Sequence, residues 1–518
     1  RAAKGEDKVI LVDAGDNFSG GGAPFYYNFV DTTSAHLYPR LAAYMGYDAV
    51  VAGHSDFEAG HRVYDRVARE MRKAGVPFLA GNAVSERTGK GYLPAYSIVR
   101  KGGVKVAVLG YTNAANASLM DASCVSGISF KSLLPLIQED VDKVRSKEKP
   151  QVVIVVAHTS MGKGDGQNLE RQGLDLFNSL KGVDVLVTGH DHSTKVLKTD
   201  STVLLDCGRA GQYACLADIK LVVRGGKVIS RSLSGEVESF GSENYDTAME
   251  EAFKSDYEKV RDFNASHVGE VKKDLVSREF YYRQCDYMNF LHALAFSAWP
   301  VDISLSATLL IDGMVPAGEV RYQDIRKIYP YDNMLIVLRL TGAEILRYLE
   351  ASYDAWISTV PGPAEGSHVL RITQTKDYAT GGMKWKLAKS PANFDSAAGI
   401  RYTVDVTKPY GSRVTVSGMA DGSPFEMDKD YSVAITSYRS TGSGGLMKAA
   451  GLMDARSVED RIIYRGPEFR TILYRYLKKH GSIDPAVVGD PNVVGSWRFV
   501  PDFAPEAIKA DVELIYGK

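Results

Sequence analysis

Four short motifs in this chain carry residues suited to chemistry: Gly15-Asp16-Asn17, Gly53-His54-Ser55-Asp56, Ala157-His158-Thr159 and Gly189-His190-Asp191-His192. Each directly follows a short hydrophobic run of the kind that forms a buried strand. Two imidazoles spaced as Gly-His-x-His have no apolar reason to sit at a strand end. Divalent metals supply one: neutral imidazole suits zinc, iron and manganese, and an aspartate can bridge two cations. Singly, each histidine reads as a hydrogen-bonded loop or core residue. At four strand ends of one domain, Asp16, His54, His158, His190 and His192 read as a metal site.

The elements that must position them alternate. Residues 9–12, 49–52, 104–109, 152–157, 183–187 and 202–205 read as strands, and residues 35–47, 62–74, 133–146 and 169–180 as helices. In the third helix Leu133, Leu136, Ile137, Val141 and Val144 share one face. Strands alternating with helices predict a layered α/β domain with its ligands just beyond strand ends. Residues 213–230 read as a closing hairpin, which puts the first domain at 1–236. A polar helical connector follows at 237–268 and a second domain at 269–518. There Thr341-Gly-Ala-Glu344 is a capping box that opens a helix to about Trp356.

The 518 residues are 45% hydrophobic and 24% charged, which excludes disorder. No run approaches the ~18 apolar residues of a membrane span, so no transmembrane segment is expected. Lys plus Arg (62) balance Asp plus Glu (63) at a net charge of −1, and no basic stripe invites nucleic acid. Four cysteines without CxxC spacing form neither a disulfide framework nor a zinc knuckle. Arg1 is not an initiator methionine and no signal pattern follows it. The opening strand of the domain is expected to lie before it.

On these motifs the chain resembles the calcineurin-like metallophosphoesterases, and more narrowly the bacterial 5′-nucleotidase/2′,3′-cyclic-nucleotide phosphodiesterase family. Val12-Asp-Ala-Gly-Asp16-Asn-Phe18, Gly53-His-Ser-Asp-Phe-Glu-Ala-Gly60, the His158 strand, Gly189-His-Asp-His192 and Tyr329-Pro-Tyr-Asp-Asn333 with Leu340-Thr-Gly342 carry the likeness over nearly the whole length. It implies an α/β fold: a four-layer metallophosphoesterase sandwich, a bridging helix and a second α/β substrate-recognition domain. It also implies two divalent ions (zinc, manganese or iron), with Asp16 bridging, His158 and His190 on the second metal and His192 on the first. A hydroxide between the metals would attack a nucleotide or another small phosphate ester. A binding protein on the same scaffold, with little or no turnover, is the alternative. Export to the periplasm or cell surface is implied by the family alone.

Two departures stand out. The family's opening Asp-x-His would precede Arg1. Its Gly-Asn-His-Glu-Phe-Asp reads Gly53-His54-Ser55-Asp56-Phe57-Glu58, so His54 replaces the ligand Asn, Ser55 the proton-donating His and Glu58 its Asp partner. Serine cannot shuttle a proton near neutral pH as imidazole does. Asp56 and His61 stand nearby as substitutes. In the second domain Tyr331 and Tyr438 align with the rings that clamp a nucleobase, Asn333 with a base-contacting amide, and Arg439 is a candidate phosphate contact. The family's ribose-reading Gly-Gly-Asp appears as Ser443-Gly444-Gly445.

Overall fold

The computed structural model describes residues 5–517 apart from 226, 242–245, 363–365, 378–380 and 453–457. Contacts divide the chain into two compact units, Arg1–Phe263 and Asn264–Lys518.

The first unit is built on two sheets. The smaller is parallel, in the order Val12–Asp13, Ala49–Val51, Phe78–Leu79. The larger runs Thr194–Lys198, Val203–Cys207, Val185–Thr188, Val152–Ala157, Val104–Tyr111, Tyr96–Lys101. Its four inner strands are parallel and its two edge strands antiparallel. The period-2 alternation of a strand explains why the inner runs are apolar throughout. Val106, Val108, Val152, Ile154 and Val156 face Ala49, Val51 and Leu79 of the other sheet. Ala107, Leu109, Val153 and Val155 point the opposite way, against Leu133, Ile137, Val141 and Val144 of the helix Leu133–Glu148. The helix His61–Lys73 buries Val63, Val67 and Met71 over the smaller sheet. Helix, sheet, sheet and helix make four layers, and the parallel strands all end on the side where the motifs lie.

The helix Thr247–Asn264, within the stretch expected as a connector, packs on this unit. Its buried Asp256 accepts hydrogen bonds from Tyr27 and from Arg40, and Phe263 stacks on Phe25 at 6.0 Å.

The second unit centres on a five-stranded sheet, ordered Asp395–Ala398, Ile303–Ala307, Asp430–Thr436, Met334–Thr341, Ile462–Glu468. Thr341 Oγ1 accepts from the Glu344 N–H at 3.3 Å and Glu344 Oε2 from the Thr341 N–H at 2.9 Å, which starts the helix Gly342–Trp356. That helix delivers Trp356 into a cluster with Phe280, Phe394, Trp497 and Phe499.

Each unit buries a neutral histidine. His36 lies between Asn28 Oδ1 at 3.0 Å and the Tyr38 N–H at 3.2 Å; His292 lies between the hydroxyls of Ser304 and Ser396. Burial pushes both down to about 3 from an ordinary 6.5. The unfolded chain takes up those protons below 6.5 while the folded chain does not. Stability is therefore full above 6.5 and falls as pH drops towards 3, by about 1.4 kcal/mol per pH unit for each group. From neutral pH to about pH 5, the unmodified chain should lose roughly 2 kcal/mol more in urea unfolding than His292→Gln does over the same interval. The same pH dependence in both proteins would contradict this.

Candidate metal centre

The four strand ends deliver donors to one place. One ring nitrogen each from His54, His158 and His190 and one carboxylate oxygen of Asp16 all lie within 4.8 Å of one another. Asp16 Oδ2 is 3.0 Å from His54 Nδ1 and 3.2 Å from His158 Nε2. His54 Nδ1 is in turn 3.2 Å from His158 Nε2 and 3.1 Å from His190 Nδ1.

The far nitrogen of every ring faces an oxygen. His158 Nδ1 donates to the Ala14 carbonyl at 2.7 Å, which leaves Nε2 bare towards the cluster. His190 Nε2 donates to Glu170 Oε1 at 3.0 Å, and His54 Nε2 faces Glu58 Oε1 at 3.9 Å. Bare imidazole nitrogens about a hydrogen-bond length apart repel unless a positive charge lies among them. The electrostatics agree. Burial lowers His54, but Asp16, with Glu58 and Asp56, outweighs it and carries the imidazole up to about 9. Burial raises Asp16, yet His158 and His54 hold it well below the usual carboxylate range. Three nitrogens and one oxygen suit a transition-metal ion better than magnesium or calcium, which prefer oxygen. Among the described residues this is the one such group, and it fits one cation.

Backbone shape makes the approach possible. A Cβ on Gly53 would lie 2.2 Å from Asp16 Oδ1, and Gly15 sits at φ 98 with its open side against Gly53. Asp16 and His190 themselves adopt left-handed backbones, φ 66 and φ 91. Such backbones persist at functional sites where the surroundings enforce them.

The other expected residues fall out differently. His192 is exposed on a left-handed backbone (φ 58) and does not join the cluster; the intervening Asp191 accepts the Met161 N–H at 3.1 Å. Asp56 is fully buried and accepts four backbone N–H groups, from Gly53, Asp16, Asn17 and Phe18, at 2.7–3.0 Å. It is a loop clamp, which corrects its reading as a proton carrier. Ser55 donates its backbone N–H to Asp16 Oδ1 at 2.9 Å, while its buried hydroxyl has no hydrogen-bond partner. Glu58 is raised by burial and lies beside His54. His61 is tied to the Ser126 carbonyl at 2.9 Å.

In the second unit Tyr331, on the loop before the strand Met334–Thr341, and Tyr438, in the short helix Ser437–Ser440, are 47% and 42% exposed, and the Met334 N–H donates to Ser437 Oγ at 3.0 Å. Asn333 is half-buried and its amide meets the Tyr329 hydroxyl. Arg439 is 3% exposed and pairs with Asp395 at 2.6 Å, so it is an internal ion pair and not a free phosphate contact. Glu170 was not anticipated: it lies within the stretch read as the helix 169–180, whereas the helix spans Gly173–Ser179 and Glu170 is in the loop before it.

A cluster of imidazole and carboxylate donors that could hold a cation thus sits at the ends of parallel strands in a layered α/β sandwich. Residues 1–194 match the family model of the calcineurin-like phosphoesterases, and residues 267–451 match that of the 5′-nucleotidase C-terminal domain. The chain thus carries a calcineurin-like phosphoesterase domain followed by a 5′-nucleotidase C-terminal domain. It is 22% identical over 92% of its length to a trifunctional nucleotide phosphoesterase of Bacillus subtilis. It is 22% identical over 90% of its length to an endonuclease of the same organism. It spans 35% of the length of each of these relatives. A Staphylococcus aureus structure, provisionally assigned as a 5′-nucleotidase, shares the fold with a TM-score of 0.65 at 16% identity, covering 95% of this chain and 90% of that one.

Proposed function

We propose that the chain is a divalent-metal-dependent phosphoesterase acting on nucleotides or similar small phosphate esters. The observation that carries this is the convergence of Asp16, His54, His158 and His190, with the bare nitrogens of His158 and His190 turned inward. When bound, a divalent cation supplies Lewis-acid charge at the phosphoryl group and eases deprotonation of the attacking water. Asp16, His54, His158 and His190 would hold it, and the Ala14 carbonyl and Glu170 set two of the rings. Ser55 offers no group that protonates a leaving oxygen near neutral pH, and Glu58 is the remaining acid in the loop. Tyr331 and Tyr438 are exposed aromatic rings of the kind that can stack on a base. The near-zero net charge supports a small substrate over a polynucleotide. No helix among the described residues is long and apolar enough to cross a membrane. Family resemblance supports action outside the cytoplasm.

The test is metal analysis of protein purified without chelator, alongside hydrolysis of a nitrophenyl phosphate ester. At least one zinc, iron or manganese per chain is expected. A chelator should abolish hydrolysis and re-addition of the metal should restore it. A metal-free protein that refuses all three ions, or hydrolysis indifferent to chelator, would overturn the reading.

A further inference from the structure

The third imidazole of the cluster is held by a carboxylate from a separate loop. Glu170 Oε1 lies 3.0 Å from His190 Nε2, and the ring's other nitrogen, Nδ1, is the one turned to His54. The loop is pinned where it delivers this side chain. The Glu170 carbonyl accepts from Thr159 Oγ1 at 2.8 Å and from Asn113 Nδ2 at 3.1 Å. The Gln172 N–H reaches the same Thr159 hydroxyl at 2.9 Å, and Asn168 Oδ1 takes the Glu170 N–H at 2.9 Å. Thr159 follows His158 directly, so the loop returns to the strand end that carries another donor. His158, by contrast, is backed by a neutral carbonyl, and Glu58 stands 3.9 Å from His54, outside hydrogen-bond reach.

Resting on the metal reading above, we propose that Glu170 is a positioning residue for the cation site: its carboxylate fixes the His190 tautomer with Nδ1 facing inward and adds negative charge behind it. Groups of this kind orient a ligand ring and raise its basicity, and losing one weakens metal affinity by roughly 10–100-fold. Gln keeps an oxygen that accepts the same N–H but removes the charge, so it separates orientation from charge.

The experiment is Co²⁺ titration of metal-stripped full chain, followed by visible absorption and calorimetry, on the unmodified protein, Glu170→Ala and Glu170→Gln. Affinity should fall about 10–100-fold in Glu170→Ala with a changed visible band. Glu170→Gln should fall in between and keep the band. Glu58→Gln should change Co²⁺ affinity less than Glu170→Ala does. The metal-free unfolding midpoint of Glu170→Ala, read in urea, separates ring positioning from loop collapse. Affinity and band of Glu170→Ala indistinguishable from the unmodified chain would overturn the proposal. So would a midpoint loss shared equally by a Thr159→Val loop control of matched affinity, because the loop alone would then be responsible. If the unmodified chain binds no Co²⁺, the metal reading itself fails, and that outcome is distinct from both.

Discussion

His158→Ala is expected to remove metal binding at micromolar concentrations and, with it, all chelator-sensitive hydrolysis. His158 is 2% exposed, its Nε2 lies 3.2 Å from both Asp16 Oδ2 and His54 Nδ1, and its Nδ1–H anchors to Ala14. Removing it deletes a donor, opens a void and leaves the Ala14 carbonyl without that bond. The loss should exceed the ~10–100-fold attached to an outer partner such as Glu170. The metal-free protein should also lose stability, by about 0.5–1.5 kcal/mol for the lost hydrogen bond to the half-buried Ala14 carbonyl. Calorimetric titration with Zn²⁺ and urea unfolding check the two parts separately. Binding within tenfold of the unmodified chain would show that His158 is a core histidine and that the cluster has another purpose.

The second large effect concerns leaving groups. At equal metal occupancy, a nitrophenyl ester should turn over about 10²–10⁴ times faster than a nucleoside monophosphate, the range that a missing general acid typically spans. Nitrophenolate departs without a proton, whereas a ribose hydroxyl must gain one. Asp56 is committed to four backbone N–H groups and Ser55 has an alcohol where an imidazole would act. Rates for both substrates across pH give the measurement. Brisk nucleotide turnover that collapses selectively in Glu58→Gln would show that Glu58 supplies the proton and would defeat the expectation.

The inner strands and their helices were readable because burial on both faces leaves a continuous apolar run. Val152–Ala157 is such a run, and the strand has those bounds. The edge strands Tyr96–Lys101 and Thr194–Lys198 were not readable: half-exposed, with Arg100, Lys101, Lys195 and Lys198 among their residues, they resemble loop. The run at 9–12 shrinks to Val12–Asp13 because pairing with Ala49 and Val50 begins only there. Side-chain type at strand ends signalled Asp16, His54, His158 and His190. Their shared location is a property of topology, which spacing along the chain does not encode. His192, read as a ligand of the other metal, stands outside this group, and its left-handed backbone is invisible in residue type. Glu170 carried no mark at all, being one acid in a polar stretch until the loop folds back to His190.

The Asp56 clamp has a consequence for how such a chain changes over generations. Its one carboxylate gathers N–H groups from Asp16, Asn17 and Phe18 on one loop and from Gly53 on the other. The Ser55 N–H adds a further tie to Asp16, and a backbone donor is indifferent to the side chain attached to it. The two loops that present Asp16 and His54 are thus braced without using the side chain of residue 55 or 58. Drift at 55 therefore leaves this brace in place, whereas Glu58 still faces His54. A lineage can trade imidazole for hydroxyl, narrow its repertoire to reactive esters, and later regain a donor, while the ion's cradle stays intact throughout.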